Sequence, residues 1–590
     1  MGRSTYHPLP YLPTEVVSKI LALLDIKELV ACQCTSRRLR GIVSGSLLLQ
    51  YHIRLAASGM HDGSLSEAST IERTAALREY TDAWRDLTWS AYDKIDIPGC
   101  AMPQFSDGVV AYLSEDRRAL TVHQLPSKLR RLAAHRWTLE FDFVIARFSL
   151  DAAQDLLVLV PISATPGPSQ WFEPRILLRT LSTGQPHPLA SPSAATAGAI
   201  ELAESKLQPT MEGDTTSIHG SYLGTVVHGG ATDELAIWNW KTGEREWGMP
   251  LDKGVGQWCF LDDAHILFPK NVFAGSPVLR ARQRRLHVCR FRSVRGVLPP
   301  QQEDPVPERV FVLPDPRYPH GSSMGARLLS RPTPDPSASL SAFAAGELFH
   351  PSAEDHLLTV ELWAYYASGW EVTDLHIPTR VLLSTPPRSA SGNDAPVRGP
   401  RIVPWSAWRH AITQSPPLEH PRDMAPLGPL AHGMRRLSWT CGTNSRFRAV
   451  RSTAQHSRPS SASSSSLRRK TVSVWDLHPG RTEQALAALR CSGSVSDGSA
   501  GGTAVIQLAC SCGGEDDDDG RSRAIAAAPP SSEQQPQQQA EWPYVLSEVP
   551  LPREIQEADP IGIKFAMCGD ALVVLELGDH ETNRLHILTF

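Results

Sequence analysis

Residues 12 to 58 crowd several short apolar helices into fewer than fifty positions, too little chain to enclose its own apolar surface. Pro13 can open the first helix, with Thr14 near its N-cap and Glu15 favoured by the positive helix end. Val16, Ile20 and Leu24 make one apolar row, and Val17 and Leu21 make the row beside it. Together they form a stripe wider than a simple surface helix carries. Asp25 caps a second helix, and Glu28, three residues on, supplies the return half of a capping box, with Leu29 and Val30 as its anchors. A third helix starts near Ser36, with Leu39, Ile42 and Val43 behind a basic face of Arg37, Arg38 and Arg40. Ser46 or a neighbour opens a fourth, carrying Leu49, Ile53 and Ala57, and Gly59 stops it. A module built this way needs either a larger body to sit on as a helical cap or a second protein to cover it.

The pattern resembles the F-box. Its matching residues are Leu12-Pro13, Glu15-Val16, Ile20-Leu21, Leu24-Asp25, Leu29-Val30, Cys34 and Ser36-Arg37-Arg38-Leu39. Leu39 stands where the family usually has an aromatic side chain. Leu49-Gln50-Tyr51, Gly59-Met60-His61-Asp62-Gly63 and Ala83-Trp84-Arg85-Asp86-Leu87 look like a fungal, basidiomycete-like branch of such proteins. The resemblance implies docking on a Skp-type adaptor and, through it, on a cullin–RING ubiquitin ligase, while the rest of the chain collects a protein substrate. The expected contact residues are Leu12, Pro13, Val16, Ile20, Leu24 and Leu29, and some of them can instead pack the module's own interior.

At 590 residues the chain exceeds one typical domain. Its 58 Lys and Arg against 62 Asp and Glu give no global bias toward nucleic acid or membrane. No apolar run approaches the roughly 20 residues that span a bilayer, no secretory pattern opens the chain, and Tyr6 stands where a myristoylation motif wants Ser or Thr. A cytoplasmic or nuclear protein is expected. The 10 cysteines are scattered, with no Cys-x-x-Cys pair, so free thiols are expected rather than a metal site. Cys510-Ser511-Cys512 offers two ligands, which do not make one.

Ser69-Thr70-Ile71-Glu72 is a capping box opening a helix with Leu77, Tyr80, Trp84 and Leu87 at helical spacing. Its two large aromatics predict firm packing, either back on the first module or onto the next domain. From about residue 100 short β-rich runs replace the helices, including Val109–Leu113, Asp155–Val160, Tyr222–Val227 and Leu357–Leu362. Three runs align on a Gly turn: Arg175 to Leu181 before Ser182-Thr183-Gly184, Glu234 to Trp240 before Lys241-Thr242-Gly243, and Thr471 to Leu477 before His478-Pro479-Gly480. Period-2 alternation ending in a Gly turn suits an outer propeller strand, and Trp475-Asp476 is similar to the WD-repeat dipeptide. The runs Ala571–Leu577 and Arg584–Phe590 read as a terminal hairpin that invites pairing with an early strand.

The expected fold class is therefore α+β multidomain. A helical F-box (1–60) and a linker-helix region (61–98) precede an all-β, propeller-like domain (99–590) of seven or eight blades, a β-sandwich pair being the alternative. Residues 379–400, 452–470 and 491–541 are too polar, Ser-rich or Gln-rich to offset ordering entropy and are expected as disordered insertions.

Catalytic signals are missing from the sequence. It has no Gly-rich phosphate loop, no Gly-x-Ser-x-Gly and no His-Glu-x-x-His. No catalytic, cofactor-binding or metal residues are expected, and no cofactor. Arg280, Arg282, Arg284, Arg285, Arg290, Arg292 and Arg295 form a basic cluster that suits phosphate or an acidic peptide, or simply a charged hairpin. Trp363, Trp370, Trp405 and Trp408 either line a recognition face or fill space between blades. Asp262-Asp263 with His265 reads as a turn. The functional expectation is a non-catalytic substrate receptor. The alternatives are a scaffold that binds the adaptor outside a ligase, and a propeller enzyme or nucleic-acid reader.

Overall fold

The computed structural model describes residues 12–63, 67–86, 88–99, 103–127, 132–162, 175–190, 199–201, 216–228, 233–251, 257–274, 281–292, 307–314, 323–328, 348–351, 356–366, 369–384, 400–414, 431–432, 435–440, 471–477, 506–509, 523–526, 545–550, 552, 554–555, 563–568, 571–578 and 582–590. Helices α1 (Thr14–Leu21), α2 (Ile26–Thr35), α3 (Arg37–Gly45) and α4 (Leu47–Ala57) follow the caps in the sequence. The Asp25 side chain accepts from the Glu28 amide at 2.7 Å while Glu28 accepts from the Asp25 amide at 3.3 Å, so α2 opens on a complete capping box. Ser36 and Ser46 cap α3 and α4 through their hydroxyls. Gly59, at φ +64°, ends α4 in the left-handed conformation that a glycine adopts without steric cost. Only α1 departs from the expected start: its N-cap is Pro13, not Thr14, and no side chain caps it.

Helix α5 (Thr70–Asp86) comes next, opened by Ser69 and Glu72 as expected. Beyond it the described residues are mainly β-structure. They make seven sheets that we number as blades. Blade 1 is Gln104–Ser106, Val109–Leu113, Ala119–Gln124 and His135–Glu140. Blade 2 is Ile145–Asp151, Leu156–Pro161, Arg175–Thr180 and Ala199–Glu201, and blade 3 is Ser217–His219, Tyr222–His228, Asp233–Asn239 and Glu244–Leu251. Blade 4 is Cys259–Phe260, His265–Ala274, Ala281–Arg290 and Arg309–Val312, with Arg401–Val403 added in parallel at its edge. Blade 5 is Ser323–Leu328, Leu357–Tyr366, Gly369–Pro378 and Thr413–Gln414. Blade 6 contains Ala431–His432, Arg435–Thr440, Thr471–Asp476 and Val545–Pro550.

Blade 7 closes the ring. Ile563–Cys568, Ala571–Glu576 and Thr582–Thr589 are joined by a fourth strand, Ala91–Pro98, whose residues pair antiparallel from Ala91↔Thr589 to Pro98↔Thr582. This is the pairing of terminal hairpin with early strand that the sequence invited, and it removes two open edges at once. One face of blade 7 (Val573, Leu575, Leu585, Ile587) packs on Val110 and Tyr112 of blade 1. Blades 1 and 2, 2 and 3, 3 and 4, and 4 and 5 share further apolar clusters, and blades 5, 6 and 7 touch in turn. A ring of this kind covers both faces of each sheet, which is why the inner strands Val109–Leu113 and Leu156–Pro161 are buried at every residue.

Several expectations are corrected in detail. Ala91–Pro98, placed by sequence in the linker region, is a blade strand, because its edge is completed only by a strand almost five hundred residues away. The three Gly-aligned runs are third strands of blades 2, 3 and 6 rather than outermost ones. In blades 2 and 3 these strands are buried along most of their length, as strands covered on both faces are. Of the expected insertions, 379–400 begins with a helix, Thr379–Leu383, whose Leu382 is buried. The segment 491–541 contributes two strands, Ile506–Ala509 and Arg523–Ala526, to blade 6. The two strands pair with each other, and the first pairs in parallel with Val545–Pro550. Residues 452–470 lie outside the described residues.

Candidate functional site

Two surfaces of the helical module matter for function: the side it leaves open and the side by which it is fixed to the propeller. Val17, Leu21, Leu29, Ile42, Val43 and Leu49 form the module's core, with Leu12, Leu24, Ala22, Ile26, Leu39 and Ile53 packed partly against it. Of the six contact residues expected from sequence, Leu29 is therefore interior, 1% exposed, and Leu12 and Leu24 are half-buried. Arg38 Nη2 donates to the Leu12 carbonyl at 2.5 Å and ties the segment before α1 to α3. Pro13, Val16 and Ile20 point outward. Val16 is 42% and Ile20 37% exposed, and Leu23, one turn on, is 87% exposed. These three lie at i, i+4 and i+7, so they line one side of α1 and its extension. Leu23 was missed because the sequence row was continued through Leu24. The choice between i+3 and i+4 after Ile20 depends on which neighbour packs the core, and that is a tertiary fact. Val30 of α2 and Leu47 and Leu48 at the start of α4 are also exposed.

On the other side, α4 serves two cores. Its Leu49 belongs to the module, while Tyr51 and Leu55 join Met60, Leu77, Tyr80 and Trp84 against Phe565, Met567, Leu572, Val574, Leu588 and Phe590 of blade 7. Trp84 stacks on Phe590 with ring centroids 4.1 Å apart and planes at 20°. Tyr80 meets Phe349 edge-on at 5.8 Å. The Arg435 guanidinium of blade 6, 4% exposed, lies 4.8 Å from the Trp84 ring and 5.2 Å from the Tyr80 ring and donates to the Tyr80 hydroxyl at 3.1 Å. Met60–Asp62, just past α4, pairs antiparallel with Phe349–Pro351. Asp62 accepts from Tyr51 at 2.7 Å and from Arg73 at 2.5 Å. Burial, then the bond to Asp62, pushes the Tyr51 phenol well above its ordinary range, so it stays a donor. The module is held at blades 6 and 7 and at the segment after blade 5's first strand, and contacts from these separate directions leave little freedom to swing.

Other candidates from sequence are absorbed by the fold. The basic cluster is divided: Arg284 is buried and donates to the Pro314 carbonyl, Arg285 holds Gln283, Arg290 faces Glu308 and Arg292 lies over the Tyr222 ring. Arg280, Arg295 and the side chain of Arg282 are outside the described residues. Trp408 is buried, donates to the Val312 carbonyl and meets Phe311 and Trp405 edge-on, which is filling between blades. Trp363 is half-buried, and the Trp370 side chain is outside the described residues. Asp262 accepts from the amides of Ala264 and His265 and from the His265 ring, the turn role expected of it. Among the described residues no group of three or more His, Cys, Asp or Glu is placed to hold a metal, and no helix is long and apolar enough to cross a membrane.

Residues 9–55 match the family model described as F-box-like. Among curated proteins no match is found. Solved structures similar in part include Kluyveromyces lactis Hsv2, complete loop 6CD (10% identity, TM-score 0.22, covering 53% of this chain and 84% of that one). Another is the WD40 domain of SCAP from fission yeast (9% identity, TM-score 0.30, covering 90% and 98%). Likenesses this distant add nothing to the strand pairing, from which the fold is read.

Proposed function

We propose that this chain is a non-catalytic substrate-receptor subunit of an SCF-type cullin–RING ubiquitin ligase. The helical module docks a Skp-type adaptor, and the propeller holds a protein substrate. The observation that carries this reading is the stripe of Val16, Ile20 and Leu23, left open on a module whose own core is already filled by Val17, Leu21 and Leu29. Covering side chains of this size is worth roughly 1.5–3 kcal/mol each for full burial, enough to drive a protein–protein contact. The F-box-like match over residues 9–55 supports the identity of the partner. The chain's contribution to the reaction is effective concentration: a substrate held by the propeller sits at a fixed distance from whatever the module docks. Cullin, reached through the adaptor, and a cytoplasmic or nuclear location belong to the same proposal.

The test is capture of a Skp-type adaptor by the full chain and by an Ile20→Glu/Leu23→Glu variant. Loss of capture with an unchanged melting temperature supports the reading, and undiminished capture overturns it. Cullin in the captured complex assigns the chain to a ligase; adaptor without cullin assigns it to a scaffold working outside one.

A further inference from the structure

Where the chain leaves α4, Met60–Asp62 pairs with Phe349–Pro351, a two-stranded link between the helical module and the connection inside blade 5. Side chains alternate across such a pair. Met60 and Phe349 point into the joint core, 5% and 0% exposed. His61 and His350 are direct partners in the register and take the opposite face, where His61 is exposed and His350 half-buried. Their ring centroids are 5.9 Å apart, with planes at 49°. Two imidazoles that share one tetrahedral ion, each with a nitrogen about 2.0–2.1 Å from the metal, have centroids about 5.2 Å apart. Side-chain rotation closes the remaining difference without moving either strand.

We propose that His61 and His350 bind a divalent transition-metal ion, zinc above all, which clips the helical module to the propeller. Imidazole nitrogen suits zinc, copper and nickel, whereas magnesium and calcium take oxygen ligands. Among the described residues no third His, Cys, Asp or Glu is placed to join the pair, so water fills the ion's remaining positions from the solvent side. Two ligands on a single loose segment must be ordered before they can chelate. These two stand on paired strands whose other face is packed, so folding has already met that cost. Opening the strand pair separates the rings. The ion therefore binds the closed joint and not the open one, and mass action holds the joint shut. The inference stands apart from the adaptor, because it concerns how firmly the module sits on the propeller, whatever the module docks.

The experiment is hydrogen–deuterium exchange on the full chain at constant pH, with zinc chloride, with magnesium chloride and with neither. Since only the closed pair binds, protection of residues 60–62 and 349–351 rises by the factor 1 + [Zn2+]/Kd, about tenfold when zinc stands at roughly nine times Kd. Magnesium is expected to leave protection unchanged. His61→Phe and His350→Phe are the decisive variants, because each keeps an aromatic ring in place and removes the donor nitrogens. Both are expected to lose the zinc effect while keeping the metal-free protection of the natural chain. A natural chain whose protection zinc does not raise overturns the inference. So does an equal rise in either Phe variant, or an equal rise with magnesium.

Discussion

In the second strand of blade 1, Val109 to Leu113, every residue is buried, whereas in and just after α1 the side chains of Val16, Ile20 and Leu23 are 42%, 37% and 87% exposed. The two regions are comparably apolar, and they differ in what surrounds them. Each blade meets a neighbour on both faces, and the last is completed by Ala91–Pro98, so among the described residues the sheet faces are covered by the ring itself. The helical module is too small to wrap its own stripe, and the propeller covers only its α4–α5 side. Apolar surface covered within a closed architecture is packing; the stripe that the small module leaves open is where the proposed adaptor contact falls.

The contrast can be broken most sharply at the joint. Trp84→Ala removes the ring stacked on Phe590 and beneath Arg435, and it is expected to cost about 3–5 kcal/mol in denaturant-induced unfolding. A cost near zero would mean that module and propeller are independent bodies. Within the propeller, His123 offers a pH test. Burial first, then Arg136, pushes its imidazole down to about 4, and it stacks on Tyr112 at 5.5 Å. A depressed pKa means that the unfolded chain binds the proton first. The stability tied to a neutral His123 is therefore fully present above about pH 6.5 and is lost as pH falls toward about 4, up to roughly 3 kcal/mol in all. His123→Gln should flatten that part of the stability–pH profile, and an unchanged profile would remove His123 as its source.

On the module, Ile20→Glu should weaken adaptor capture by at least about 2 kcal/mol while moving stability by less than about 0.5 kcal/mol. Leu29→Ala should do the reverse, destabilising by about 2–5 kcal/mol because the lost volume is interior. If both variants behaved alike in calorimetry and pull-down, the division between open face and filled core would fail. The smallest effect is expected at Asp25→Ala. It removes one half of the α2 capping box, costs about 1 kcal/mol by thermal melting, and leaves the propeller untouched.

Much of this was legible one element at a time. Asp25 with Glu28, Ser36, Ser46 and Ser69 with Glu72 mark helix starts because a cap is a bond between residues three apart. The Gly-aligned runs are strands of blades 2, 3 and 6, though third in order rather than outer as the alternation suggested, and Gly184 and Gly243 take positive φ of 71° and 77°. Leu181 and Trp240, just before those glycines, are fully buried, as their alignment implied. Less was legible at the open face. Leu29 and Val16 look equally apolar in sequence, yet one is interior and the other is not.

Local order was thus written in the chain itself: where helices start, where strands alternate, which segments are apolar. Such signals depend on neighbours within a few residues, and the backbone's own geometry reads them. Only the folded molecule decided that Ala91–Pro98 completes blade 7, that Arg435 sits over Tyr80 and Trp84 from 355 and 351 positions away, and that Leu23 rather than Leu24 faces outward. Those outcomes depend on which distant surfaces meet. Contacts across such separations are selected by the packing of the whole ring, which no local pattern encodes.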